Sequence, residues 1–335
     1  MILSKTSEVD ISLVEEKEIP LLINSISKNL DKKNYDKKYW YWQYKQHPKK
    51  QSFLYAAWQN KQIVGYYHIV PYTFVANGKK YLIGNVQDVA VNKEFQGRGI
   101  FRKLSEFANS DVNKYVDILY SFPNKKSIRT FLKYDKFNLI DCIPIYVLPL
   151  KFLYRDPKIK LDSNNKVVFF DQLDNEIYGV FEKFSKLHNF YVLRDKDFLN
   201  WRYINSPKGK FFFVGLMRNN KISAIIVVKH EKIYKNETYI ILDFAFTDDI
   251  EDFNKLISNF YFSLNESYSL NANFVIISGL SHCISQIKKF GYIKIPKFFI
   301  PRQLNLVTRL TKRSLKVDSF NSLDWLVTLG DWDIF

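Results

Sequence analysis

Cysteine is almost absent: Cys142 and Cys283 are the two in 335 residues, too few for a disulfide framework or a four-thiolate zinc site. Glycine is scarce too, 11 in all, about half of ordinary usage, so its placement is informative. Acids are in deficit, 34 against 50 Lys and Arg, and the formal net charge of +16 favours anionic partners: phosphorylated cofactors, nucleotide-linked substrates, nucleic acid or a membrane surface. Long apolar runs are missing. Segments such as Ala224 to Val228 fall far short of the roughly 20 residues that span a bilayer. Met1 to Pro20 carries Glu8, Asp10, Glu15, Glu16 and Glu18 where a secretory leader needs an unbroken apolar stretch. These absences predict a soluble chain in a reducing cytoplasm, and 47% hydrophobic residues are enough to bury a core.

What is present is a repeat. Trp42, Tyr44, Pro48 and Lys49 recur as Trp201, Tyr203, Pro207 and Lys208, each 159 residues on (201 − 42). The offset also relates Phe53 to Phe212, Asn60 to Asn219 and Ile63 to Ile222. In each copy an amphipathic stretch (Ile19 to Leu30; Ile177 to Leu187) precedes the aromatic segment. Two strands around an Asn-containing turn follow, then a third strand, a helix and another apolar run. The expected fold is α/β (α+β): two tandem domains, each a mixed, mostly antiparallel sheet flanked by helices. The turn-rich, apolar-poor stretch Asp156 to Asn165 suggests domains at 1–155 and 156–335. The aromatic C-terminal segment is expected to pack on a domain. Recurrence of the Trp-x-Tyr segments in both copies marks them as packing elements rather than a nucleic-acid stacking platform.

Two of the few glycines bracket Arg98 in Gln96-Gly97-Arg98-Gly99-Ile100-Phe101, between the strand Val86 to Val91 and a helix with Ile100, Leu104, Phe107 and Ala108 on its expected apolar face. Glycine allows close backbone approach, and N–H groups at a helix start meet the positive end of its dipole, so this loop suits a phosphate. The second copy has Thr247-Asp248-Asp249-Ile250-Glu251-Asp252 there. Carboxylates cap a helix well and repel an anion.

The strand Asp88-Val89-Ala90-Val91, the Gln-x-x-Gly loop, its helix, and the strand ending in Tyr120-Ser121-Phe122-Pro123-Asn124 resemble the GNAT superfamily of N-acetyltransferases. In the second copy Phe290-Gly291-Tyr292 is similar to that family's closing Leu-Gly-Phe. The resemblance implies a tandem GNAT protein with acetyl-CoA bound in the first copy only. Val89, Ala90 and Val91 would then meet the pantetheine, with Val89 and Val91 pairing to it. Gln96, Gly97, Arg98, Gly99, Ile100 and Phe101 would cradle the pyrophosphate, and Asn124 would take the family's asparagine position. Phe101 departs from the family's Gly or Ala.

Catalytic groups are less legible. The family's tyrosine acid, counted from Asn124, falls on Phe131, which has no proton to give, so Tyr134 and Tyr120 are the substitutes. The usual base position falls on Asn85, which can orient a water. Asp88 alternates to the other side of the strand from Asn85 and Gln87 and is a base candidate only if the strand bulges. No metal is expected. The implied activity is acetyl transfer to a primary amine, small or nucleotide-linked, and the Trp325 to Asp333 segment resembles tandem GNAT-like proteins of surface-polysaccharide functions, which tilts the acceptor toward an amino sugar. The alternatives are a Fem-type aminoacyl transferase with a tRNA donor, which would not need the pyrophosphate loop, and a non-catalytic CoA- or RNA-binding protein.

Overall fold

The computed structural model describes residues 8–29, 37–150, 160–161, 163–247, 249–300, 303–311 and 321–332. In chain order the elements are β1 (Asp10–Leu13), α1 (Ile19–Asn29), α2 (Lys37–Tyr44), β2 (Phe53–Gln59), β3 (Gln62–Ala76), β4 (Lys79–Val91), α3 (Ile100–Val112), β5 (Ile118–Ser121), α4 (Ile128–Lys133), β6 (Asn138–Cys142) and β7 (Ile145–Pro149). There follow β8 (Asn165–Phe170), α5 (Asn175–Ser185), β9 (Phe190–Val192), α6 (Lys196–Leu199), β10 (Phe212–Arg218), β11 (Lys221–Ile233), β12 (Asn236–Phe246), α7 (Ile250–Tyr268), β13 (Phe274–Leu280), β14 (Ile293–Lys294), β15 (Asn305–Leu310) and β16 (Trp325–Thr328). The mixed α/β architecture is as expected.

The repeat is written into the strand register. Phe53 pairs with Ile69 and Phe212 with Val228, and both hairpins slip by one residue at matching places, after Ala57 and after Leu216. Their turns are Asn60-Lys61 and Asn219-Asn220, all four with positive φ between 50° and 61°. That is the two-residue turn whose twist suits a hairpin and whose left-handed φ asparagine tolerates. The aromatic segments are buried in both copies, at Trp42, Tyr44, Trp201 and Tyr203.

Two compact units form, and neither is contiguous. The first holds residues 1–73, 81–141 and 304–318, the second 74–80, 142–303 and 319–335. A division at 155/156 separates the chain differently, since β7 joins the second unit and β15 the first.

In the first unit the strands run β1-β2-β3-β4-β5-β15-β6. All the pairings with a recorded register are antiparallel except β4 with β5, which are parallel and joined by the crossover helix α3. β15 pairs with β5 from Val307 opposite Ser121 to Leu310 opposite Ile118. The Asn305 amide also donates to the Pro123 carbonyl at 2.9 Å. One sheet face, with Tyr67, Ile69, Val86, Leu119 and Val307, packs on Ile100, Leu104, Ala108, Val112 and Phe131 of α3 and α4. A Cβ at Gly84 would lie 2.7 Å from Ile69 and 2.8 Å from Leu119, so only glycine fits there. The expected helix face holds except at Phe107, which is exposed. The buried stripe of α3 turns instead through Ser105, Ala108 and Val112.

The second unit repeats the pattern in β8-β10-β11-β12-β13, with β12 and β13 parallel across α7. β7 pairs antiparallel with β13. β16 pairs with Gly279 and Leu280 of β13, beyond the end of the β12 pairing, and also touches β12. The C-terminal segment is thus packed as expected, with Trp325, Leu326 and Val327 buried. No helix among the described residues is long and apolar enough to cross a membrane. No cluster of three or more metal-ligating side chains occurs among them. Both cysteines are buried thiols outside any disulfide.

Candidate functional site

The site begins where two parallel strands part. β4 and β5 pair at Ile83–Ile118, Gly84–Leu119 and Asn85–Tyr120, and their register ends there. Ser121 Oγ then donates to the Val86 carbonyl at 2.7 Å. Beyond this point β4 runs on alone beside β3. The Asn92 N–H donates to the Val64 carbonyl at 2.9 Å, and the Ala90 carbonyl comes up against Gly65. Backbone groups alternate along a strand, so the peptide groups of Val89 and Val91 turn the other way, into the notch that β5 has left.

The notch is floored by the glycine loop. Gly97 and Gly99 have φ of +79° and +74°, and a Cβ on either would meet nothing within 4 Å, so the space over the loop is open. Gln96 Nε2 donates to the Val91 carbonyl at 3.0 Å and ties the loop to the strand end. Arg98 donates to the Glu94 carbonyl at 2.8 Å and stacks on Phe95 with its guanidinium 5.1 Å from the ring centre. Gly99 caps α3 without a side-chain bond, and the first turn holds no acid. The first bond back to the cap comes from Lys103 to Gly99 at 3.2 Å. The N–H groups of Ile100, Phe101 and Arg102 therefore have no partner within the helix. A diphosphate fits this helix start on charge, on donors and on space.

The wall of the notch is set by a bulge. Leu82 and Val86 face the core under α3, and so do Val89 and Val91. The change from even to odd positions needs one extra residue, and Asp88, with φ of +46°, supplies it. Asp88 therefore joins Asn85 and Gln87 on the face away from α3. There Tyr44 of α2 donates its hydroxyl to Asp88 Oδ2 at 2.6 Å, and the Tyr44 ring packs edge-on to His68, centroids 5.0 Å apart. Asn85 Nδ2 donates to Gln87 Oε1 at 3.3 Å.

Residues 10–130 match the family model for an acetyltransferase (GNAT) domain. This stretch is a GNAT domain. Solved structures are similar over most of the chain. One is a conserved protein of Enterococcus faecalis V583 described as a probable N-acyltransferase, with a TM-score of 0.70 at 14% identity over 92% of this chain and 74% of that one. Another is the N-myristoyltransferase of Saccharomyces cerevisiae with bound myristoyl-CoA, at 0.62 and 12% over 98% and 90%. A third is a tandem GNAT protein from the clavulanic acid biosynthesis pathway, at 0.58 and 10% over 92% and 100%. At such identities these likenesses show the fold alone. No curated protein matches the chain in sequence.

Within the GNAT domain the structure brings Asn85, Asp88 and Tyr120 to one sheet face. Tyr120 is the cross-strand neighbour of Asn85 and is buried with its ring edge-on to Phe122. Tyr134 lies elsewhere, exposed at the C-terminal cap of α4, a helix whose Phe131 packs on Phe137 in the core under α3. Asn124 opens the turn that leads into α4, its Oδ1 accepting from the N–H groups of Lys126 and Ser127 at 2.9 and 3.1 Å. Phe101 packs partly buried against the core, where its bulk is accommodated beside Tyr67.

Tyr44 was not legible as a site residue. Its signal was the repeat itself: Tyr203 bonds Asp243 at 3.0 Å in the second unit as Tyr44 bonds Asp88 in the first. The bulge also had a signal, the switch of apolar positions from Leu82 and Val86 to Val89 and Val91.

Proposed function

We propose that the chain is an acetyl-CoA-dependent N-acetyltransferase that acylates a primary amine in its first unit, within residues 1–155 completed by β15. The glycine loop opening α3 at the β4–β5 notch carries this reading. Acetyl-CoA supplies the acyl group as a thioester. Gln96 to Phe101 bind its diphosphate through backbone amides and the Arg98 cation. Val89 and Val91 offer peptide groups to the pantetheine amides, with Ala90 holding the strand against β3. Asp88, re-aimed by the bulge, takes the proton of the attacking amine directly or through a water held by Asn85. As the nitrogen–carbon bond forms and the carbon–sulfur bond breaks, Tyr120 gives a proton to the leaving thiolate. Tyr120 is better placed than Tyr134 because it shares a sheet face with Asn85. Asn124 positions the start of α4.

The acceptor is a small or nucleotide-linked amine. The resemblance of the Trp325 to Asp333 segment favours an amino sugar of a surface-polysaccharide precursor, handled in the cytoplasm without a metal. Thiol release from acetyl-CoA across an amine panel tests the reading, and amine-dependent release is expected. A chain that binds acetyl-CoA and releases no thiol with any amine would be a non-catalytic binder instead, an outcome that the missing tyrosine at Phe131 makes worth scoring.

A further inference from the structure

If Asp88 meets the acceptor amine, as proposed above, the group beside it is the next that the acceptor encounters. Gln87 immediately precedes the bulge and is 9% exposed. Its Oε1 is engaged by Asn85, which leaves the buried Nε2 in need of another acceptor. Nε2 finds no hydrogen-bond partner among the described residues. Folded chains rarely leave a buried amide donor unpaired, because the group has lost its water and gained nothing.

The placement is unusual for a strand. Consecutive residues normally face opposite ways, so an amide donor and a carboxylate side by side on one face exist here only because of the bulge. The second unit has no such pair, since the residue before Asp243 is the buried Leu242. Adjacent Cα atoms lie about 3.8 Å apart. The two side chains therefore suit ligand atoms on neighbouring carbons, about three bonds apart, more readily than groups at opposite ends of a molecule.

We infer that Gln87 is a specificity-determining residue that donates from Nε2 to an oxygen next to the acceptor's amine. The acceptor class is then a vicinal amino alcohol, of which amino sugars are one kind, rather than a simple alkylamine or a polyamine. Asp88 takes the nitrogen and Gln87 the oxygen.

The test uses the full chain with acetyl-CoA and two matched probes, trans-2-aminocyclohexanol and cyclohexylamine. The wild type should prefer the amino alcohol by about 10- to 100-fold in kcat/KM, the scale of one buried hydrogen bond left unmade. Gln87→Met and Gln87→Glu, which keep the length and lose the NH2, should bring that ratio to within about threefold. A variant that merely folds poorly lowers both rates and leaves the ratio standing. Retention of the wild-type ratio in both variants, or absence of any preference in the wild type, would overturn the assignment while leaving acyl transfer intact. If no amine releases thiol, the transferase reading itself fails. Calorimetric titration of the same probes into the chain with CoA then decides Gln87 separately: a preference that depends on Gln87 upholds the contact, and equal affinities overturn it.

Discussion

The two units share a register, two Asn turns and a Tyr–Asp hydrogen bond, yet they spend the same architecture differently. In the first, the notch between β4 and β5 opens over two glycines, and no described strand enters it. In the second, β16 pairs with β13 beyond the end of its pairing with β12, and Gly279 makes room, since a Cβ there would collide with the Val327 carbonyl. The helix starts differ as sharply. Gly99 leaves α3 free of a side-chain cap, whereas Asp249 caps α7 by accepting from Glu251 at 2.8 Å, with Asp252 next in the turn and paired to Arg218 at 3.0 Å.

The two tyrosine-bonded aspartates follow the same division. Asp88 is partly exposed beside Tyr44. Asp243 is buried, and Arg194 reaches it at 3.2 Å while gripping Asp331 through two bonds of 2.7 Å. A Cβ at Gly330 would strike both the Tyr203 hydroxyl and Asp243. One copy thus leaves its helix start without a side-chain cap and its aspartate partly exposed. The other caps its helix start with Asp249 and bonds its aspartate to Arg194 and Tyr203, with Arg194 held in turn by the C-terminal Asp331.

The largest expected effect breaks the comparison at the level of folding. A fragment of residues 1–155 lacks β15, leaving β5 an unpaired edge and the core without Val307. It should aggregate, and adding residues 303–318 back through a flexible linker should restore a soluble, cooperatively melting domain. A fragment that melts cooperatively without β15 would show the strand to be dispensable.

Next in size, Arg194→Met should destabilise the second unit by about 3–5 kcal/mol, because two buried carboxylates lose their cation. Denaturant unfolding reads this, and a loss below about 1 kcal/mol would mean that the C-terminal segment is held by packing alone.

The first unit has its own buried carboxyl. Asp135 accepts from the Tyr67 hydroxyl at 3.2 Å and is pushed by burial from the ordinary 3.8 to about 6. A raised folded-state value means that the native state holds the proton more tightly. Its contribution is full below 3.8 and is lost as pH rises through about 6, a change of up to about 3 kcal/mol. Asp135→Asn should therefore gain on the wild type by that order between pH 4 and 7.5 in paired thermal melts. A difference between the two proteins that stays constant with pH would place the titration elsewhere.

The smallest effect sharpens the contrast of the helix starts. Calorimetry should give one acetyl-CoA site per chain, and Gly99→Asp should weaken it at least ~10-fold, the scale of one charge-assisted contact. Two equivalent sites, or unchanged affinity in a folded variant, would make the loop no more than a turn.

Much of this was legible in the chain. The 159-residue offset located both hairpin turns, because turn asparagines act locally, while the strands extend well beyond them, from Phe53 to Ala76 in the first copy. The glycine loop stood out for the same reason, since positive φ at Gly97 and Gly99 is a local demand on residue type. Phe107 departs from its expected face because a helix's apolar stripe drifts around its axis, and the core beneath α3 selects Ser105 and Val112 instead.

Local sequence signals carry the repeat, the paired hairpin turns and the glycine-rich helix start of the first copy. Tertiary structure alone decided that β7 and β15 join sheets away from their own halves, that β16 fills the second notch, and that Tyr44 meets Asp88. The reason is physical: an apolar strand is compatible with any open sheet edge, and only three-dimensional packing chooses which edge it completes.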